Sequence, residues 1–372
     1  MLRFLTAGES HGENLIGIIE GMPQGLYIDE KYINNELKRR QKGYGRSSRM
    51  AIEKDEVEIL SGVNKNYTTG NPISIIIENR GTNIDLVEIT KVRPGHADLP
   101  GTLKYNHKGA RNVLERASAR ETAMRVALGG MCKLFLKEFD IEIYSHIIQI
   151  GNIKSEIDYY NGEIKNLKEV DKSPLRVLDK EMEALMIEEI EKAKAMGDTL
   201  GGVMEVIGIN IPVGLGSHAH WDRKLDGKIA GGILSIPGIK AIEIGLGFSG
   251  AENPGSNFHD EIYYNNGFYR KTNNAGGIEG GISNGEDIVF RAMMKPIPTL
   301  KKPLKTVDLE SKESTVAQFE RSDVCAVPSA SIVAESVLAY IIMEEFLIKF
   351  GGDSMEEIKA NYRNYMEVLE NR

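Results

Sequence analysis

Residues 119–139 have the sequence ARETAMRVALGGMCKLFLKEF, which is the clearest long helical pattern in the chain. Its apolar side chains recur at helical spacing and so form one stripe: Met124, Ala127, Leu128, Met131, Leu134 and Phe135. The pair Gly129-Gly130 weakens the helix within this stripe. We therefore predict a long helix against which another element packs closely at its glycines.

Strands are predicted on both sides of this helix, in short runs rich in β-branched residues at 16–20, 73–78, 141–150, 203–213 and 241–244. Further helices are predicted at residues 29–41, 179–196, 332–350 and from Ser354 onward. The third is interrupted by Glu335, Glu344 and Glu345, which favours an amphipathic helix over a membrane span. Because helices and strands mix without regular alternation, we expect an α+β layered fold instead of a doubly wound sheet.

Length and composition restrict the class of protein. The 372 residues fit either two domains or one large one, and 41% hydrophobic residues are enough for a sizeable core. A formal charge of −8 argues against a protein that coats nucleic acid. Only two cysteines, Cys132 and Cys325, are present, which indicates a reduced, intracellular compartment. The first motif starts at Gly8, so we expect no signal peptide before it.

Three stretches place histidine and arginine beside glycine or serine: GESHG at 8–12, RPGHAD at 93–98 and RASARETA at 116–123. Guanidinium groups bind carboxylate and phosphate bidentately, and histidine gains and loses protons near neutral pH. Asp98 is placed to orient the ring of His96 or to balance its charge. These stretches predict a pocket for a multiply charged anion with proton donors at its edge.

The start of the long helix adds to this pocket. Ser118 is a natural N-cap, and three arginines surround it: Arg116, Arg120 and Arg125. Free backbone N–H groups together with arginines suit a phosphate.

A basic stretch precedes these motifs and contains Lys38, Arg39, Arg40, Lys42, Arg46 and Arg49. A solvated helix face followed by a basic loop is its ordinary explanation. Such a concentration of positive charge in an acidic chain also suits an anion site. Nucleic acid is the other alternative, but interleaved aromatic residues are missing.

Two further motifs are rejected. GLGFSG at 245–250 matches a dinucleotide-binding pattern, but Pro254 follows where a helix would have to begin. His218 and His220 could face one side of a strand, but no third metal ligand is evident, so we predict no metal site.

Taken together, these segments resemble chorismate synthase. The resemblance covers most of the chain and is carried by residues 8–25, 40–49, 93–98, 116–123, 276–287 and 321–328. Ala117 stands where a serine is commoner in the family, and Leu99 where an aromatic residue often follows. We expect one domain, 1–372, in which residues 152–200 form a helical excursion on the surface.

The resemblance implies a lyase that converts 5-enolpyruvylshikimate 3-phosphate to chorismate and phosphate by 1,4-anti elimination. This is the last common step of the shikimate pathway to the aromatic amino acids, and it requires reduced FMN. The family also implies a β-α-β sandwich with helices between antiparallel sheets, and a homotetramer. A cytoplasmic location is expected from the reduced compartment that the two cysteines indicate. Neither nucleic acid nor a membrane is expected as a partner.

Site residues follow from the same resemblance. It implies His11 as the acid for the departing phosphate, His96 beside the flavin, and Asp323 as a base toward flavin N5. The substrate residues that it implies are Ser10, Arg40, Arg46, Arg49, Arg93, Arg120 and Arg321. The implied FMN residues are Ser118, Ala119, Arg120, Gly238, Gly280, Lys295, Pro296, Ile297, Pro298, Thr299 and Arg321.

Three alternatives stay open: a flavin- or nucleotide-phosphate-binding module without catalysis, a basic-loop nucleic-acid binder, and a NAD(P)H-dependent flavin reductase. Arg40 and Arg46 match family positions for NADPH, so NADPH stays open as an indirect electron source. The sequence does not decide whether the chain reduces its own flavin. Because no dinucleotide fold is evident, we expect an external reductant.

Overall fold

Helices and short strands follow one another irregularly along the chain. A computed structural model describes residues 1–46, 54–80, 87–160, 167–320 and 323–372. Within these residues the helices are α1 (Glu30–Gln41), α2 (Asp98–Tyr105), α3 (Arg111–Ala117), α4 (Thr122–Lys137), α5 (Lys180–Met196), α6 (Leu225–Leu234), α7 (Gly255–Phe258), α8 (Val327–Phe350) and α9 (Met355–Glu370). The strands are β1 (Arg3–Ala7), β2 (Asn14–Glu20), β3 (Val57–Ile59), β4 (Val63–Asn64), β5 (Tyr67–Thr68), β6 (Ile73–Glu78), β7 (Glu142–Ile150), β8 (Ile153–Lys154), β9 (Gly202–Ile209), β10 (Ile239–Ile244), β11 (Ile262–Tyr264), β12 (Phe268–Arg270), β13 (Ile278–Glu279), β14 (Ile282–Ser283), β15 (Ile288–Met294), β16 (Lys305–Val307) and β17 (Ser314–Val316).

Two antiparallel sheets form the framework. The first has the strand order β1-β2-β6-β3, and the second has the order β10-β15-β9-β7-β8. Every neighbouring pair in both sheets is antiparallel. The prediction of a mixed fold with irregular element order, instead of a doubly wound parallel sheet, is therefore confirmed.

Helices α4 and α8 connect the sheets. Helix α4 contacts β2 of the first sheet and α8, while α8 contacts β7 and β9 of the second. A Cβ added to Gly129 of α4 would lie 2.4 Å from the Cβ of Ser336 on α8. The predicted close packing at the glycine pair is thus confirmed, and one hydrophobic core extends from Leu2 to Ile358.

Most predicted elements are confirmed, with shifted ends. The side chain of Asp29 caps α1 by accepting a hydrogen bond from Lys31 N, and Asp179 caps α5 in the same way. The long helix begins at Thr122, after a 3₁₀ segment at Ala119–Glu121. Strand β9 ends at Ile209, earlier than predicted, because Asn210 is left-handed (φ 61°) and so breaks the extended backbone. The first α-helix after GLGFSG is α7, which has only four residues and is too short for a dinucleotide-binding unit.

The prediction that residues 332–350 form an amphipathic helix is wrong, because α8 is buried on nearly every side. Glu335 is 0% exposed and lies among three cations, 2.8 Å from Arg39, 2.6 Å from Lys133 and 2.8 Å from Arg176. Burial acts to raise the pKa of Glu335, but these cations hold it well below the ordinary range. Since Arg176 is itself buried, residues 152–200 lie only partly on the surface. Among the described residues, no helix is both long and apolar enough to cross a membrane.

Candidate active site

The loop between β1 and β2 holds His11 against a carboxylate. His11 Nδ1 lies 2.9 Å from Glu115 Oε1, and Ser10 Oγ donates to Glu115 Oε2 at 2.6 Å. The loop begins at Gly8, whose φ of 106° and close approach to the carbonyl of Asn14 require glycine. Burial acts to raise the pKa of Glu115, but the hydrogen bonds from His11 and Ser10 lower it to about 2. The carboxylate therefore stays ionised and fixes the imidazole by its Nδ1 side.

Asn79, at the end of β6, joins this loop to the start of α4. Its side-chain amide donates to the carbonyls of Glu9 (3.1 Å) and Gly12 (2.7 Å). Its Oδ1 accepts from Arg120 Nε at 2.8 Å. The predicted histidine loop and the predicted arginine are therefore neighbours, through a residue that the sequence did not single out.

Arg120 and Arg40 share a buried carboxylate. Arg120 Nη1 donates to Asp55 at 2.7 Å, and Arg40 Nη1 lies 3.6 Å from the same side chain. Arg40 also donates to the carbonyl of Ala119 at 3.0 Å, and Ser118 Oγ accepts from Arg120 N at 3.3 Å. Two residues predicted to bind substrate thus lie beside two residues predicted to bind flavin, at the beginning of the long helix: Arg40, Arg120, Ser118 and Ala119.

The second histidine is held in the same manner as the first. His96 Nδ1 is hydrogen-bonded to Asp98 Oδ1, and Arg93 binds Asp98 bidentately at 2.8 and 3.0 Å. Burial acts to raise the pKa of Asp98, but the bonds from His96 and then Arg93 hold it well below the ordinary range. Arg93 Nη1 also donates to Thr299 Oγ1 at 3.0 Å, so a predicted substrate residue touches a predicted flavin residue.

The loop at 295–299 lies directly beside this histidine turn. Lys295 Nζ donates to the carbonyl of Gly95, its backbone N–H donates to Gly238 (2.9 Å), and Pro298 lies beside Gly95. Burial, and secondarily the charge of Lys240, lower the pKa of Lys295. Lys240 thus adds a second positive charge near the ammonium group, and two cations suit a phosphate.

Arg46 and Asp323 form an ion pair at 3.2 Å, with both side chains largely buried. Three backbone and side-chain bonds tie this pair to the 295–299 loop. Val324 N donates to Gly45 O (2.9 Å), Leu200 N donates to Val324 O (2.9 Å), and Thr199 Oγ1 donates to Ile297 O (2.7 Å). The predicted base therefore shares one region with the predicted flavin loop.

Arg111 lies beside the carboxylate that holds the first histidine: its Nη1 donates to Glu115 at 3.3 Å, and its Nη2 lies 3.8 Å from Glu320. Helix α3, which carries Glu115, packs against α2, and α2 begins at Asp98, the partner of His96. The contacts from His11 through these two helices to His96, and from there through the 295–299 loop to Asp323, form one connected set.

Some predicted residues are not joined to this set. Arg49 and Arg321 lie outside the described residues. Gly280 occupies the turn between β13 and β14, beside α6, away from the contacts just described. Arg116 donates to the carbonyls of Thr6 and Gly8 and so supports the histidine loop from its outer side. No sequence pattern indicated Asn79, Asp55 or Glu115, since each is an ordinary polar residue outside the recognised motifs.

Two imidazoles, each held by a carboxylate and set among arginines, are suited to moving protons on an anionic small molecule. This arrangement defines a class, that of enzymes acting on anionic substrates.

Comparisons with known proteins identify the family. A family model described as chorismate synthase matches residues 2–347. Chorismate synthase of Carboxydothermus hydrogenoformans is 53% identical over 100% of both chains, and that of Caldanaerobacter subterraneus subsp. tengcongensis is 55% identical over 99% of both. A crystal structure of chorismate synthase matches with a TM-score of 0.83 and 42% identity, covering 100% of this chain and 99% of that one.

The chain belongs to the chorismate synthase family, so the resemblance drawn from the sequence motifs is confirmed. Members of this family are flavin-dependent lyases of the shikimate pathway, and they convert 5-enolpyruvylshikimate 3-phosphate to chorismate and phosphate.

Proposed function

We propose that this chain carries out the family reaction with reduced FMN in the pocket bordered by the two histidine turns and the 295–299 loop. The observation that supports this most is that both carboxylate-held imidazoles belong to the same connected set of contacts as Arg40, Arg46 and Arg120. The substrate carries one phosphate and two carboxylates, and FMN adds another phosphate. An acidic chain has to concentrate guanidinium groups to hold these four anions together.

The proposed flavin residues fit the group chemically. Lys295 and the Thr299 hydroxyl would hold the FMN phosphate, while the backbone of Ser118, Ala119 and Gly238 would contact the rest of the flavin. Reduced FMN supplies transient electron donation when it is bound, which suits a reaction without net redox change. The protein's part is binding, orientation and electrostatics.

His11 donates a proton to the departing phosphate from Nε2, the ring nitrogen opposite the one that faces Glu115. His96, with its Nδ1 held by Asp98, would present Nε2 to bound flavin. Asp323, paired with Arg46, would serve as the base toward flavin N5. Replacing His11 or His96 by alanine should lower turnover by roughly 10²–10⁴, the usual contribution of a general acid or base, while the protein stays folded.

An anaerobic assay with dithionite-reduced FMN and 5-enolpyruvylshikimate 3-phosphate tests the proposal. Chorismate absorbance and phosphate release should rise together in equal amounts, and oxidised FMN should support neither. Phosphate release without chorismate, or no reaction with reduced FMN, would contradict the proposal. NADPH oxidation by the purified chain without added reductase would instead identify a flavin reductase and overturn our expectation of an external reductant.

Substrate and reduced FMN should bind cooperatively, because Arg93 contacts both the His96 turn and Thr299. Anaerobic calorimetry measures each affinity with and without the other ligand, and independent affinities would argue against a shared pocket.

The remaining proposals concern architecture and surroundings. We propose a single domain of residues 1–372 with a β-α-β sandwich, supported by α4 contacting the first sheet and α8 the second. A homotetramer and a cytoplasmic location are proposed as well, the latter because both cysteines are buried and unbridged.

A further inference from the structure

A buried carboxylate stands behind His11 that none of the sequence motifs assigned a role. Glu115 lies on α3, and its side chain is 4% exposed. It accepts hydrogen bonds from Ser10 Oγ at 2.6 Å and from the backbone N–H of His11 at 2.9 Å. His11 Nδ1 lies 2.9 Å from its Oε1 and 3.0 Å from its Oε2. Arg111 completes the set at 3.3 Å.

These contacts constrain the imidazole in two ways. A carboxylate accepts hydrogen bonds only, so His11 Nδ1 must carry the proton between the two groups. The tautomer is thereby fixed, and Nε2 becomes the nitrogen that faces away from Glu115. Because the backbone N–H of His11 binds the same carboxylate, the ring and its loop are held together.

We propose that Glu115 is the positioning residue of His11: it fixes the ring by Nδ1 and stabilises the protonated imidazole that donates to the departing phosphate. This inference rests on the proposed function, in which His11 is the acid. Glu115 itself takes no part in binding the anions, because a negative charge would repel them.

The charges around the pair support this assignment. Arg111, on the same helix, neutralises part of the carboxylate and in turn lies 3.8 Å from Glu320. Glu9 and Glu13 are the other titratable groups of the loop between β1 and β2. The backbone of Ser10 also donates to the carbonyl of Glu115 at 3.1 Å, so the loop keeps its place on α3 even when the side chain is altered.

Glu115→Gln tests the inference because it keeps the size of the side chain and removes the charge. An amide offers one acceptor oxygen where Ser10, His11 N and His11 Nδ1 all converge, so at least one bond is lost. We expect kcat to fall between roughly 10²- and 10⁴-fold, as happens when the aspartate behind a catalytic histidine becomes an amide. KM for the substrate should stay equal or fall, since a negative charge is removed near an anion site. The alkaline limb of the pH–rate profile should move to lower pH by about one unit or more, since an anion beside the imidazole favours its charged form.

A double-mutant cycle separates positioning from a merely structural role. Glu115→Gln should have almost no effect in the His11→Ala background, because its action depends on the imidazole. Glu205→Gln is the matched control: Glu205 is also buried and lies 2.8 Å from a histidine, His146, but in the second sheet. We expect it to lower the melting temperature without moving the alkaline limb.

Equal slowing by Glu115→Gln in both backgrounds, or an unmoved alkaline limb with a raised KM, would overturn the inference while leaving His11 as the acid. A wild-type protein that forms no chorismate would instead refute the proposed function on which the inference rests.

Discussion

The adjacent glycines of α4 allow one packing contact to be measured against its own control. In Gly129→Ala the new Cβ would lie 2.4 Å from the Cβ of Ser336 and 2.8 Å from its Cα and carbonyl oxygen. Two of these atoms belong to the backbone of α8, so the two helices themselves would have to separate. In Gly130→Ala the nearest atom is 3.5 Å away, on Ile33, which is ordinary contact.

Both substitutions gain the same helix propensity, about 1 kcal/mol from glycine to alanine. Only Gly129→Ala adds an overpacking cost, typically about 1–3 kcal/mol and occasionally more. Gly130→Ala should therefore be neutral or stabilising by up to about 1 kcal/mol. The difference between the two variants should be about 1–3 kcal/mol, since the propensity gain cancels.

Urea unfolding of both variants at equal protein concentration, followed by circular dichroism, gives this difference. A Gly129→Ala variant as stable as Gly130→Ala would show that α4 and α8 are not packed backbone against backbone at Ser336. Destabilisation of both variants by equal amounts would contradict the account as well.

Three further predictions concern charge. Glu335→Gln should lower the free energy of unfolding by about 1–3 kcal/mol, because three cations lose one of their charged partners while Glu36 and Asp171 still pair with them. The exposed Glu188→Gln should change it by less than about 0.5 kcal/mol in the same urea titration. The pKa of Glu115 falls on folding from the ordinary 4.5 to about 2, so its contribution to stability is complete above pH 4.5 and is lost as the pH drops toward 2. Between these pH values the melting temperature of Glu115→Gln should therefore depend less on pH than that of the wild type. Parallel plots of melting temperature against pH for the two proteins would contradict this. Lys295→Met should weaken binding of reduced FMN about tenfold or more, because a charge-assisted hydrogen bond to phosphate is removed, whereas Lys301→Met, at an exposed position, should leave binding unchanged. Anaerobic fluorescence titration measures the affinity of both variants for reduced FMN. Equal affinities of the two variants would argue against Lys295 as a phosphate ligand.

The sequence predicted helices and strands well where their signals lie in neighbouring residues. Residues 73–78 form a strand with the predicted bounds because a run rich in isoleucine fits a pleated, buried position, here between β2 and β3. Asp29 and Ser354 cap their helices because a short polar side chain satisfies nearby N–H groups wherever it stands.

The burial of α8 could not be predicted in this way. Its glutamates resembled the polar face of a surface helix, yet Glu335 is neutralised by Arg39, Lys133 and Arg176. These cations come from 159 to 296 residues away along the chain. The hydrophobic pattern of a single helix does not show which distant cations pair with its glutamates.

The residues of the candidate site also fall into two groups, those that short sequence motifs predicted and those that only the fold revealed. His11, His96 and their arginines were found because their residue types and glycine neighbours are informative by themselves. Glu115, Asn79 and Asp55 were not found, because their importance lies only in which side chains the fold brings to them.

The position of bound ligands in a crystal of the protein with FMN and 5-enolpyruvylshikimate 3-phosphate tests the central claim most directly. The account predicts the flavin phosphate within hydrogen-bond distance of Lys295 and Thr299, with the substrate phosphate facing His11 Nε2 and the flavin facing His96. Flavin density far from the 295–299 loop, or a substrate phosphate remote from His11, would contradict it.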